Sequence, residues 1–250
     1  MTFPHFHSQL QPELDRLSEN LALLEERRPL PLEFEESLEH KLAIELTHGS
    51  TAIEGNTLTL RETQLLLDEG ITPQTSKQLR EIHETVNHHK ALQNLQRLVA
   101  QGRSPDESQL CHLHRMIMAN IDDTRGGHYR DHRVFVTGAP RQPIRPDLIA
   151  ESMQELIAWL DQSPLHPLIN AAEAHYRFVK IHPYYDGNGR TARLLFNWVL
   201  LLQGYPLTVI PAAARSRYIQ SIDQADQDQP IDYFKLMVEC VEASLDQYLA

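Results

Sequence analysis

Two stretches that are apolar or small on most faces, "PLINAAEAHYRFVKI" (167–181) and "LLFNWVLLL" (194–202), are separated only by the twelve residues "HPYYDGNGRTAR" (182–193). Helices of that kind sit at the centre of a fold. The polar loop between them is therefore predicted to be clamped at both ends, a setting that preorganises a site.

Helix signals run along the rest of the chain. "TLRE" (Thr59 to Glu62) and "SPDE" (Ser104 to Glu107) both fit capping boxes, the second with Pro105 at the first helical position. Pro146, Pro167 and Pro230 mark further starts, and Gly70, Gly102 and Gly204 mark stops. The pattern predicts an all-α domain of roughly eight or nine helices. One segment reads otherwise: "RVFVTG" (133–138) alternates as a strand does, which predicts a short β-hairpin flap. The charge-rich run at 23–41 reads as a prolyl turn between two amphipathic helices. A soft boundary near residue 103 separates an N-terminal helical region, 1–103, from a core, 104–250, the two packed together without a flexible linker.

Composition narrows the partners. A formal charge of −11 opposes general binding to nucleic acid or anionic membranes, so an anionic ligand needs a local basic site. The longest dense apolar stretch, 194–202, is too short to span a bilayer. Two cysteines, Cys111 and Cys240, are too few for a disulfide framework, and the first residues lack the pattern of a signal peptide. These features predict a cytoplasmic, reducing setting, and they leave a homodimer open.

The loop supplies the basic site. Gly187 and Gly189 permit the positive φ that turns successive backbone N–H groups into one concavity, and the following helix adds its positive N-terminus. Arg190 and Arg193, three apart, reach toward the same helix end, where they oppose the helix dipole unless a polyphosphate supplies the anion. Asp186 beside this nest suits Mg²⁺, which takes few carboxylates and shares phosphate oxygens. His182 at the loop entrance has an ordinary pKa of about 6.5, suited to a general base.

Together these residues resemble the signature of the Fic family, H-P-F-x-[D/E]-G-N-G-R-x-x-R, with Tyr184 in place of the phenylalanine. The resemblance runs over roughly residues 40 to 250, through "GGHYRDHRVFVTG", "LLFNWVLLLQGYPLTVIP" and "RSRYIQSIDQA". It implies a mostly helical fold and transfer of AMP from ATP to a Ser, Thr or Tyr hydroxyl of a target protein. It implies further that His182 is the base, that Asp186 holds Mg²⁺ or Mn²⁺, and that Gly187, Asn188 and Gly189 cradle the phosphates. Arg190 and Arg193 then hold the outer phosphates, and Tyr218, with Asp226 as a second candidate, walls the adenosine pocket. The glycine after Asn188 favours adenylyl over phosphate transfer. The flap residues Val134, Phe135 and Val136 are implied to pair with an extended target segment.

"STAIEGN" (50–56) carries a second resemblance. Glu54 falls at an apparent helix end, with Gly55 and Asn56 as stops, where its charge costs about 0.3–1 kcal/mol unless a cation compensates. Ser50, Glu54 and Gly55 match the family's inhibitory pattern [S/T]-x-x-x-E-[G/N], which implies that a helix over about residues 38–55 brings Glu54 onto Arg193 and blocks the ATP γ-phosphate.

Three other readings compete. The same site could run in reverse, with Glu54 orienting a water that removes AMP, or the protein could bind nucleotide without catalysis. The fourteen histidines, among them His88, His89, His112 and His114, raise a metal-dependent phosphohydrolase, but no His-Asp pair at ligand spacing completes such a site and most fall on predicted helix surfaces.

Overall fold

The computed structural model describes residues 7–73, 79–136 and 138–250. Ten α-helices appear among them: α1 (Gln11–Arg27), α2 (Leu32–Ile53), α3 (Leu60–Glu69), α4 (Leu79–Ala100), α5 (Glu107–Met118), α6 (Ile149–Gln162), α7 (Pro167–Ile181), α8 (Asn188–Leu201), α9 (Arg215–Ala225) and α10 (Ile231–Leu249). The all-α expectation holds, with more helices than the stop signals alone separate.

Local chemistry sets most of these ends. Thr59 and Glu62 form the complete capping box of α3, and Gly70 closes that helix at φ +68°. Pro167 occupies the first turn of α7, where its missing N–H costs nothing. The start of α5 differs from the expected box. Asp106 is the N-cap, its Oδ1 accepting from the Gln109 N–H at 2.8 Å, so Ser104 and Pro105 lie outside the helix. Asp caps as well as Ser, and Asp106 also accepts the Ser108 hydroxyl at 2.6 Å, which favours it.

The pair α7 and α8 occupies the centre, where Phe178, Leu194, Phe196 and Trp198 are fully buried. Around it α1 packs on α10, α2 on α4, α4 on α5, α6 on α7 and α9 on α10. One hydrophobic core runs from Leu10 to Leu249. The Trp198 indole N–H donates to the Arg103 carbonyl at 2.8 Å, tying the central helix to the chain entering α5.

The expected β-hairpin is absent. Among the described residues there is no strand, and Thr137 lies outside them. At Val136 the N–H donates to the Gln142 side-chain oxygen at 2.9 Å and the carbonyl accepts from the Gln142 amide at 3.2 Å. One side chain thus satisfies both backbone groups that a ladder would use. Val134 is half-buried and Phe135 is 78% exposed, so the alternation has no sheet face to bury.

Candidate active site

The loop 182–187 turns sharply between the two central helices. His182 ends α7 in the left-handed region, φ +51°, and Gly187 caps α8 at φ +76°. Asn188 holds the turn from inside: its oxygen accepts from the Tyr184 N–H at 2.9 Å and its amide donates to the Tyr184 carbonyl at 2.8 Å. Only its backbone is left to meet a ligand. The aromatic at 184 packs as expected, buried and stacked on His114 with ring centres 3.6 Å apart.

A cavity of about 350 Å³ opens on this loop. Its wall brings together Glu54, Val136, His182, Gly189, Arg193, Tyr218 and Asp226, which the sequence scatters over more than half the chain. Asp226 enters it already engaged, accepting from the Tyr176 hydroxyl at 2.7 Å and from Lys180 at 2.5 Å.

Glu54 lies against the N-terminus of α8. A Cβ at position 189 would collide with its Oε1, so only glycine allows the carboxylate to sit there. Arg193, buried, donates to Glu54 Oε1 at 2.8 Å. The same guanidinium donates to the Ser50 hydroxyl at 2.9 Å and to the Ser50 carbonyl at 2.7 Å. That carbonyl is free because α2 ends at Ile53 and the Glu54 N–H turns to Thr51 instead. Gly55, at φ +103°, completes the stop. The helix carrying this carboxylate begins at Leu32, earlier than the expected 38.

Asp186 and Arg190 do not line the cavity. Asp186 Oδ1 accepts from the Gly187 N–H at 2.6 Å and from Arg190 at 3.1 Å, and its Oδ2 accepts from Arg80 at 2.5 Å. Burial works against ionisation of Asp186, but Arg190, the Gly187 N–H and Arg80 outweigh it and hold the carboxyl below its ordinary range. Arg190 is buried, with Glu84 of α4 3.8 Å from its Nη1. As a donor set for a cation, this is a single hard carboxylate with 43% of its side chain exposed. It fits Mg²⁺, which completes its shell with water and phosphate oxygens, provided Arg80 gives up Oδ2.

Two residues to which the sequence reading gave no part in this site organise it. Arg130, almost fully buried, donates to the carbonyls of His182 at 2.8 Å, His132 at 3.1 Å and Ile144 at 2.5 Å, pinning the segment 130–144 to the loop. The ring of His114 accepts from the Gly127 N–H at 2.8 Å and faces the Asp186 carbonyl at 2.9 Å, so it supports the loop. No local pattern marks either residue. Their partners lie far along the chain; His114 shares the apolar stripe of α5 with Leu110 and Ile117, whereas Arg130 lies in a loop that carries no such signal.

His88 and His114, expected on helix surfaces, are buried; His112 is exposed and His89 half-buried. Among the described residues no three His, Cys, Asp or Glu side chains are grouped to hold a metal ion. Burial lowers His182 to about 4, with Arg130 adding to the effect, and lowers His175 to about 3. His88 is held well below its ordinary value by burial and by Arg193 and Arg190.

A pH dependence follows. His88 and His175 stay neutral in the fold, whereas in the unfolded chain they take up a proton near pH 6.5. Their contribution is whole above that pH and is lost as pH falls toward the lower folded values. The slope reaches about 1.4 kcal/mol per pH unit for each only well below pH 6.5, where the unfolded ring is fully protonated, so between pH 7 and 5.5 the two together remove roughly 2.5 kcal/mol. Urea unfolding at pH 7, 6 and 5.5 should show this loss; a flat profile would mean the rings are protonated in the fold.

Comparison with known proteins agrees with this geometry. Residues 104–200 match the Fic/DOC family. The chain belongs to that family. It is 36% identical over 205 residues to the protein adenylyltransferase Fic of Drosophila erecta, a match covering 81% of this chain and 41% of the relative. The chain thus spans less than half the length of the curated relatives it matches. Among solved structures, a Fic-domain-containing signalling protein of Bacteroides thetaiotaomicron superposes with a TM-score of 0.84 at 29% identity over 94% of both chains. A Fic protein of C. elegans superposes with a TM-score of 0.88 at 25% identity, covering 98% of this chain and 73% of that one. Among the described residues, no helix of this family member is long and apolar enough to cross a membrane.

Proposed function

We propose that this Fic-family protein is a protein adenylyltransferase that moves AMP from ATP to a Ser, Thr or Tyr hydroxyl of a target protein, and that Glu54 restrains it. The reading rests on one observation above the others: the Glu54 carboxylate occupies the α8 N-terminus and the Arg193 guanidinium, in the same cavity as His182. A helix N-terminus with a buried arginine is a seat for an anion. A carboxylate there competes with a phosphate.

The chemistry needs positioning and one proton acceptor. The target oxygen attacks the α-phosphorus in line, a P–O bond forms, the bond to the bridging α–β oxygen breaks, and pyrophosphate leaves. The hydroxyl proton passes to His182, whose neutral ring keeps one nitrogen as acceptor. Its pKa of about 4 suits a weak base, and the arriving polyphosphate, an anion beside the ring, raises it toward the working range. The Asn188, Gly189 and Arg190 N–H groups in the first turn of α8 face the phosphates, Arg193 holds the outer ones, and Tyr218 and Asp226 wall the adenosine. Asp186 would hold Mg²⁺ or Mn²⁺, whose charge offsets that of the phosphates. Arg190 reaches the phosphates by leaving the Asp186–Glu84 side. Val134, Phe135 and Val136 serve target docking only if Gln142 releases Val136.

A second reading uses the same wall. Glu54 lines the cavity with His182, where it would orient a water and remove AMP from a modified target. Incubating the Glu54→Gly protein with a lysate and ATP labelled at either the α- or the γ-phosphate separates the readings. Protein labelled only from the α-phosphate supports transfer of AMP. Label from the γ-phosphate, or none from either, would overturn it, and release of AMP from pre-labelled protein by the native chain alone would favour the reverse reaction.

A further inference from the structure

Behind the cavity wall lies a buried chain of hydrogen bonds joining three helices, with a fourth set beside its end. Tyr233 of α10 donates its hydroxyl proton to the Ala172 carbonyl at 2.8 Å. Its oxygen lies 2.8 Å from Nδ1 of His175 in α7, and Nε2 of the same ring lies 2.7 Å from the Tyr218 hydroxyl of α9. Arg193 of α8 completes the line, its guanidinium carbon 5.9 Å from the Tyr218 ring centre. His175, Tyr218 and Tyr233 are all nearly or fully buried, so water cannot substitute for a missing partner.

The direction of every proton in this line is determined. Tyr233 has given its only proton to Ala172, so it accepts from Nδ1, and the ring is the Nδ1–H tautomer. Nε2 is then an acceptor and takes the Tyr218 proton. The ring stays neutral because burial and Arg193 oppose a second proton. Tyr218 is left with its ring on the cavity wall and no donor to offer a ligand.

We infer that His175 is a positioning residue of the nucleotide site: by taking the Tyr218 proton it fixes the Tyr218 ring beside Arg193, so the arginine stays aimed when Glu54 leaves. The inference rests on the reading of the cavity as the ATP site. Glu54 is one of several groups around the guanidinium, and the others, Ser50 and the Tyr218 ring, are fixed by α2 and by His175. Tyr218 accordingly meets a bound adenosine as an apolar wall and not as a hydrogen-bond donor.

Long-range ¹H–¹⁵N spectra of the full chain should show His175 as the Nδ1–H tautomer from pH 5.5 to 8. In the Glu54→Gly background, calorimetry with ATP should give a Kd raised about five- to tenfold by Tyr218→Phe and by His175→Phe, each removing the Tyr218–His175 bond. The double variant should be no weaker than either single one, because both act through one bond. His175→Gln, which offers an oxygen near the Nε2 position, should stay within about twofold of the parent; this variant and Tyr218→Phe carry the test if His175→Phe does not fold. The Nε2–H tautomer, additive losses, or an unchanged Kd in Tyr218→Phe would overturn the inference. Failure of the Glu54→Gly protein itself to bind ATP would instead overturn the nucleotide reading.

Discussion

Replacing His182 with asparagine lowers transfer of label from α-labelled ATP about 10²- to 10⁴-fold, the usual cost of losing a general base, while ATP binding stays within a few-fold. Asparagine is the informative choice because position 182 has φ +51°, a region that asparagine tolerates and alanine resists. The loop survives the change for a second reason. Its backbone is held from outside, by the His182 N–H to the Phe178 carbonyl at 2.9 Å and by Arg130 on the His182 carbonyl at 2.8 Å. Single-turnover transfer and calorimetric ATP binding, measured on the same preparation, separate the two effects. Transfer at the parent rate would remove His182 from the mechanism, and loss of binding in parallel with transfer would make it a structural residue.

Glu54→Gly raises transfer about tenfold. A charge-assisted bond contributes ~1.5–3 kcal/mol, which corresponds to roughly 10- to 100-fold in a two-state balance. Arg193 is buried but the Glu54 side chain is 40% exposed, so solvent screens one partner and the lower end applies. Glycine adds no strain at the α2 C-terminus, where position 54 has φ −83°. Arg193 remains held by Ser50, so releasing Glu54 frees the seat without scattering the arginine. In the Arg193→Ala background the same change should produce no gain, since the inhibitory partner and the phosphate clamp are already gone. That non-additivity is the signature of direct coupling. Equal acceleration in both backgrounds would show that the two residues do not communicate.

What could be read from the sequence alone is what depends on neighbours within a turn or two. The capping box of Thr59 and Glu62, the stop at Gly70 and the first-turn Pro167 are local backbone chemistry, and the structure repeats them. The turn 182–193 is of the same kind, because its glycine at φ +76° and its i, i+4 pair of Asp186 and Arg190 are set by spacing. Ser50 and Glu54, one turn apart, met the same arginine for that reason.

Tertiary structure decided everything that needed a partner from elsewhere in the chain. The alternation at 134–136 is a request for a second strand, and a glutamine six residues on answered it instead. Arg190 turns from the cavity to two acids, Asp186 one turn away at 3.1 Å and Glu84 of the distant α4 at 3.8 Å, and only the second needed the fold to bring it there. His88 and His114 lie on the buried stripes of α4 and α5, with Leu92 and Leu95 and with Leu110 and Ile117, and the neighbours that cover those stripes come from other helices. The line from Ala172 through Tyr233, His175 and Tyr218 to Arg193 joins residues of four helices. Burial alone makes its hydrogen bonds obligatory, and burial is a property of the assembled fold.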